Sequence, residues 1–157
     1  MKITFLTVGK NSDREIENLI NRYVSRLSHY VKFEIRSVAD VKFGKTMTTS
    51  LQKEMEGKQI LSVISSVAYV VLLDEKGKEY TSREFADKLN GYQLRGLREI
   101  VFVVGGPFGF SQDMYNRADE LLSFSRMTLT HNMIRLFFVE QVYRAFTIIR
   151  GESYHHD

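Results

Sequence analysis

The sequence predicts an α/β fold: a mostly parallel sheet with helices on both faces. Three observations carry this. Strand-like and helix-like patterns alternate along the whole chain. Two of the strand segments, 67–73 and 100–104, are apolar at every position, as strands covered on both faces must be. The length, 157 residues with 43% hydrophobic and 26% charged, suits one domain, 1–157, with its own core.

Each element follows from its local pattern. Lys2–Val8 is apolar and β-prone, the first strand. Ser12, with Glu15 three residues on, is the expected capping box of a first helix. Ile16, Leu19, Ile20, Tyr23, Val24 and Leu27 then mark one helical face. Residues 31–38 alternate as a second strand, and 40–48 form a polar loop. Thr49 and Gln52 open a second helix over 49–61. Strand 67–73 ends at the predicted turn Asp74-Glu75-Lys76-Gly77. Thr81 and Glu84 cap a third helix that is expected to stop near Asn90-Gly91. Strand 100–104 runs into Gly105-Gly106-Pro107-Phe108-Gly109. Ser111 opens a short helix to about residue 119, 121–127 is read as a fifth strand, and His131–Ile149 as a long last helix. A polar tail, 151–157, closes the chain.

Composition narrows the function. No cysteine is present, which removes disulfides and thiolate chemistry and fits a reducing, cytoplasmic setting. The longest apolar run, 67–73, is too short for a membrane helix, and the chain start reads as a strand with no signal peptide. No metal-ligand spacing and no GxSxG elbow occur, so no metal is expected. Lys and Arg number 22 against 19 Asp and Glu, a net charge of +3. This tilts toward an anionic partner such as RNA, provided the basic residues cluster.

Three strand ends draw attention, because α/β folds bind ligands beyond the carboxyl ends of their strands. They are Leu73-Asp74, Val104-Gly105 and Met127-Thr128-Leu129. Glycines after a buried strand let a ligand approach the backbone, although they equally serve a tight turn. The loop is neither a dinucleotide fingerprint nor a P-loop. Leu73, Met127 and Leu129 are either walls of a pocket or ordinary core. Histidines gather late: His131, His155 and His156 lie within the last 27 residues. Tyr154-His155-His156-Asp157 is either a frayed end or a group able to move a proton near neutral pH. The last helix is apolar around most of its circumference, with only Glu140, Arg144 and Thr147 as a polar stripe. Either it is central in the domain or a second face meets another subunit. A homodimer is expected, with Phe138 and Phe146 as positions to test it.

Four stretches in order, spanning the chain, resemble a known family. They are the opening ten residues ending Thr7-Val8-Gly9-Lys10, the central Val103-Val104-Gly105-Gly106-Pro107-Phe108-Gly109, the run from Leu122 to His131, and Glu140–Phe146 with Gly151-Glu152-Ser153-Tyr154-His155. Together they resemble the ribosomal RNA large-subunit methyltransferase H family of the SPOUT superfamily. Thr130 stands where that family commonly has proline. The resemblance implies a C-terminal trefoil knot, a homodimer and S-adenosyl-L-methionine as methyl donor. It implies N3-methylpseudouridine in helix 69 of 23S rRNA as product, made on the assembled ribosome. By the same resemblance the cofactor pocket maps to Leu73, Gly105, Phe124, Ser125, Arg126, Met127, Thr128 and Leu129. His155 is then the candidate for helping the imide proton leave, and Tyr154 for stacking or hydrogen bonding. Arg126, Arg135 and Arg144 are candidates for phosphate or the cofactor carboxylate, Arg144 equally for a structural ion pair. A non-catalytic ribosome-binding module and a nucleotide-dependent oxidoreductase remain the competing readings.

Overall fold

The computed structural model describes residues 1–42 and 44–156; position 43 of the expected polar loop and position 157 of the expected tail lie outside the described residues. Strands β1 (Lys2–Val8), β2 (Lys32–Val38), β3 (Tyr69–Glu79), β4 (Glu99–Val104) and β5 (Glu120–Ser123) alternate with helices α1 (Arg14–Leu27), α2 (Thr49–Val63), α3 (Ser82–Leu94), α4 (Gln112–Arg117) and α5 (His131–Ile149). The strands form one sheet in the order β2-β1-β4-β3-β5, and all neighbours pair in parallel. The expected α/β class with helices on both faces is therefore observed. Alternation along the strands divides the core between the faces. Ile3, Phe5, Val71, Ile100 and Phe102 meet α1, α3 and α5 on one side; Leu6, Val70, Leu72, Val101 and Val103 meet Ile60 of α2 and Met114 of α4 on the other.

The caps differ by one residue from expectation at two helices. Asp13, one residue after Ser12, caps α1, accepting from the amides of Glu15 and Ile16. Thr48 caps α2 by accepting from Leu51 N, where Thr49 was the expected cap. Asp and Thr compete well for these positions, so neighbouring candidates are hard to separate by pattern alone. The Thr81–Glu84 capping box and the Ser111 cap of α4 are present as expected. α3 passes through Asn90-Gly91 to Leu94, because Tyr92 is buried and anchors one more turn.

β3 is the largest correction. Asp74–Gly77 does not end it: β3 pairs with β5 through Leu73, loses register, and pairs again from Lys78 to Glu79, with Leu122 opposite both Leu73 and Lys78. The polar run bulges and rejoins. Gly77 permits this, because a Cβ there would lie 2.5 Å from the Leu122 backbone. β5 is correspondingly short. It stops at Ser123, and 124–130 is loop, not the strand expected through 127.

α5 resolves the expected choice for its apolar circumference. It lies between α1 and α3 in one helical layer over the sheet. Phe138 is fully buried, with ring centroids of Phe5, Phe102 and Phe124 at 4.3, 5.0 and 5.9 Å. Phe146 is buried as well. Both are core residues of the single chain and cannot report on a second subunit. The apolar residues of α5 left exposed are Met133 and Phe137. Among the described residues no helix is long and apolar enough to cross a membrane.

Candidate functional site

The bulge within β3, the carboxyl end of β4 and the loop after β5 open onto one cleft of about 780 Å³. That volume is in the range that takes a nucleoside-sized ligand. Of the sequence-derived cofactor residues, Leu73, Gly105, Phe124, Ser125, Met127, Thr128 and Leu129 line it. Arg126 does not: its side chain is largely exposed and turns outward to Glu79 at 3.8 Å.

Parallel register brings the three loops together. Leu73 pairs with Val104 on one side and Leu122 on the other, so the start of the β3 bulge lies level with the ends of β4 and β5. The glycine loop is held from behind. Glu56 of α2 is buried and accepts from Gln52 Nε2 at 2.8 Å, and a Cβ on Gly106 would collide with its carboxylate. Glycine is therefore required there by close approach, beyond turn geometry. Ser125 Oγ accepts from Met127 N at 2.9 Å, shaping the opposite wall, and Ser123 donates to Ser125 O at 3.2 Å. Thr130 caps α5 by accepting from Met133 N, a role its side chain can fill and a proline cannot.

Phe110 and Tyr115 line the cleft without carrying a sequence signal for it, and Asp74 carries one only as part of the Leu73-Asp74 strand end. Asp74 sits in the cleft, with Lys76 N donating to its Oδ1 at 2.8 Å and Tyr115 OH donating to its Oδ2. Burial, then this bond, pushes the Tyr115 phenol up to about 12. Phe110, buried, forms the floor beneath Gly105. The walls thus combine apolar faces (Leu73, Val104, Phe110, Leu129, Ile134) with loop backbone and the charged side chains of Asp74, Glu75, Lys53 and Lys76. This donor set fits a heterocycle with a polar edge and attached hydroxyls. Among the described residues no group of three His, Asp or Glu side chains is placed to hold a metal ion.

Tyr154 and His155 lie elsewhere on the same chain. The tail packs on the C-terminal half of α5 and the end of α1. Tyr154 OH donates to Glu140 Oε1 at 3.0 Å and lies 3.3 Å from Tyr23 OH, while its ring stands edge-on to Tyr143 at 4.8 Å. Burial, the Tyr23 hydrogen bond and the Glu140 charge hold its phenol well above the ordinary value, which makes Tyr154 a donor and not a base. Arg144 binds Glu140 at 2.7 Å and stacks 4.8 Å from the Tyr154 ring centroid; its Nη1 donates to His155 Nδ1 at 3.3 Å. With Nδ1 accepting, a neutral His155 carries its proton on Nε2. Tyr30 OH donates to Glu152 at 2.7 Å and pins the tail's start. The tail through His155 is therefore ordered by specific bonds and not frayed. Nine residues of helix separate His131, in the cleft, from Glu140, about 13 Å of rise. Neither Tyr154 nor His155 lines the cleft of its own chain. Arg144 takes its structural role, and Arg135 is buried, with Nη2 donating to Val8 O at 2.6 Å and Gly9 O at 2.9 Å.

Comparisons with known proteins bear on the family and the fold. A family model described as predicted SPOUT methyltransferase matches residues 1–155. A protein of Christiangramia forsetii named ribosomal RNA large subunit methyltransferase H is 46% identical over 156 residues, covering 99% of each chain. One of the same name from Porphyromonas gingivalis is 46% identical over 157 residues, covering 100% of each. Among solved structures, a probable methylase family protein from Haemophilus influenzae Rd KW20 aligns with a TM-score of 0.53 at 12% identity, over 99% of this chain and 70% of that one, which shows the fold alone.

Proposed function

The chain belongs to the SPOUT methyltransferase family, and from that premise we propose that it methylates N3 of a pseudouridine in helix 69 of 23S rRNA on the assembled ribosome, as a cytoplasmic homodimer using S-adenosyl-L-methionine. The observation that carries this reading is the single cleft into which Leu73, Gly105 and the 124–129 loop converge. The same reading includes a knotted C-terminal part; the loops after β4 and β5 facing each other across one cleft support it.

When bound, the donor supplies a methyl group already activated on a sulfonium. The protein therefore has to position the acceptor nitrogen, exclude water and accept one proton. Leu73, Phe110, Leu129 and Ile134 would enclose the adenine, the loop amides and carbonyls would meet its polar edge, and Asp74 would accept from ribose hydroxyls. Transfer of that methyl to N3 would release the N3 proton, which must pass to a base. His155 is the candidate for that base; its unprotonated nitrogen, Nδ1, accepts from Arg144 and would have to leave that bond to take the proton. Tyr154 is a donor that orients the nucleotide. Because both sit on the far half of α5, the arrangement supports a site in which the tail of one subunit serves the cleft of the other. Exposed Met133 and Phe137 are the α5 positions available to a second copy.

Two measurements test the proposal. Mass spectrometry of 23S rRNA from a strain lacking the gene should show pseudouridine unmethylated at that site, with methylation restored by complementation. Calorimetry should show S-adenosyl-L-methionine binding to the purified protein. Donor binding without any change in the rRNA would overturn the substrate; no donor binding would leave a ribosome-binding module.

A further inference from the structure

A second cavity, about 340 Å³, lies beside the cleft at the carboxyl end of β1 and the start of α5. Gly106, Pro107, Thr130 and His131 line both cavities, so they share a wall. We propose that this cavity binds a phosphate of the RNA backbone next to the methylated nucleotide, held by Arg135, Lys10 and the first turn of α5. The RNA part of this inference rests on the function proposed above; the phosphate site does not.

Three independent features converge. First, Arg135 is 5% exposed and lines the cavity, and its Nε has no hydrogen-bond partner. Nη2 is committed to Val8 O and Gly9 O. Burial pulls the Arg135 pKa down, Asp40 opposing this from a distance, and among the described residues Arg135 forms no ion pair. Asp40, exposed on the same cavity, offsets the charge without a direct ion pair, so the buried guanidinium, bonded only to carbonyls, is incompletely compensated and has use for a further countercharge. An entering phosphate supplies that charge and an acceptor for the Nε–H, which has none.

Second, the helix points its positive end here. α5 has 19 residues, and Thr130 caps only the Met133 amide. Among the described residues the amides of His131 and Asn132 make no hydrogen bond, and both residues line the cavity. Helix amides and dipole together favour an anion. Third, the mouth carries exposed Lys10 against exposed Asp40, with Ser12 and Asn132 as further donors. The shared wall then sets the distance: a nucleotide whose phosphate sits here has its base within reach of the neighbouring cleft. Sequence reading named Arg135 for a phosphate only in general terms; burial at the back of a cavity makes it an anchor and not a surface contact.

Titrating the isotope-labelled protein with inorganic phosphate at constant ionic strength tests the site by itself. Saturable amide shifts confined to Lys10, Ser12, His131 and Asn132, with a shift of the Arg135 Nε–H, are expected. Non-saturating drift spread over the surface lysines would overturn the site. Arg135→Gln would break the bonds to Val8 and Gly9 and can unfold the chain, so exposed Lys10→Glu is the variant for the second arm. With ribosomes, K10E should raise KM about tenfold and lower the salt slope by about 1, with S-adenosyl-L-methionine affinity retained. An unchanged KM and slope would overturn the RNA assignment even if phosphate still shifts the resonances. Failure of the unmodified protein to bind the methyl donor would overturn the function proposed above and leave the phosphate titration standing.

Discussion

The two ends of α5 differ in the state of their polar groups. At the N-terminal end, loop backbone, exposed Met127 and Leu129, and a buried guanidinium with an unpartnered Nε border open cavities. At the C-terminal end, Glu140, Arg144, Tyr154, His155 and Tyr23 satisfy one another in a packed cluster. The residue types most suited to proton transfer are thus at the closed end, and the space for a ligand is at the open one. A helix of this length separates the cleft from the tail cluster within one chain, and the second copy proposed above would be the way to join them.

The largest expected effect tests the core that connects the two ends. Phe138→Asp should abolish folding, because loss of a buried Phe costs about 3–5 kcal/mol and the carboxylate adds an unpaired buried charge. Phe137→Glu, one position away and exposed, should keep the circular-dichroism melting profile and shift the light-scattering mass from dimer to monomer. A monomeric unmodified protein at micromolar concentration would remove the two-copy reading.

At the open end, Gly105→Val should reduce donor binding by about 100-fold or more while the chain remains folded. Its Cβ would press on the Phe110 ring at 3.1 Å and disturb the floor of the cleft. Calorimetry checks this; unchanged binding by the folded variant would move the pocket elsewhere.

At the closed end, deleting residues 154–157 should leave donor binding intact and lower methylation of ribosomes about 100-fold, the scale for losing a positioned acid–base group. His155→Ala should account for most of the loss if proton transfer limits the rate, and Tyr154→Phe for most of it if orientation does. Full activity of the truncated enzyme would reduce the cluster to a structural clasp.

The smallest effects are alkaline. Tyr115 at the cleft and Tyr30 under the tail are each pushed up to about 12, Tyr115 chiefly by burial and then Asp74, Tyr30 chiefly by its bond to Glu152. Both folded values exceed the ordinary 10.0, so the native state holds these protons more tightly. Their contribution is fully present below pH 10 and is lost as pH rises toward 12. Tyr115→Phe should cost about 1 kcal/mol near neutrality and flatten the alkaline fall seen in melts. Tyr30→Phe should do the same by loosening the tail and not the cleft.

By itself the sequence determined the strand–helix alternation, the limits of α5, the Thr81–Glu84 box and the three loops of the cleft. These follow from periodicity, local capping chemistry and the position of ligands in parallel sheets, all of which act over a few residues. Tertiary structure decided the rest. The β3 bulge depends on Leu122 opposing two residues of β3, and no window of sequence contains both strands. The burial of Phe138 and Phe146 depends on α1 and α3 reaching α5 from either side; an apolar helix looks the same whether its second face meets its own domain or another subunit. Arg126 and Arg135 were alike as basic residues near the loops. The fold turns one outward to Glu79 and buries the other under Val8 and Gly9, because a charge's role is set by the carbonyls, carboxylates and water that distant segments place around it.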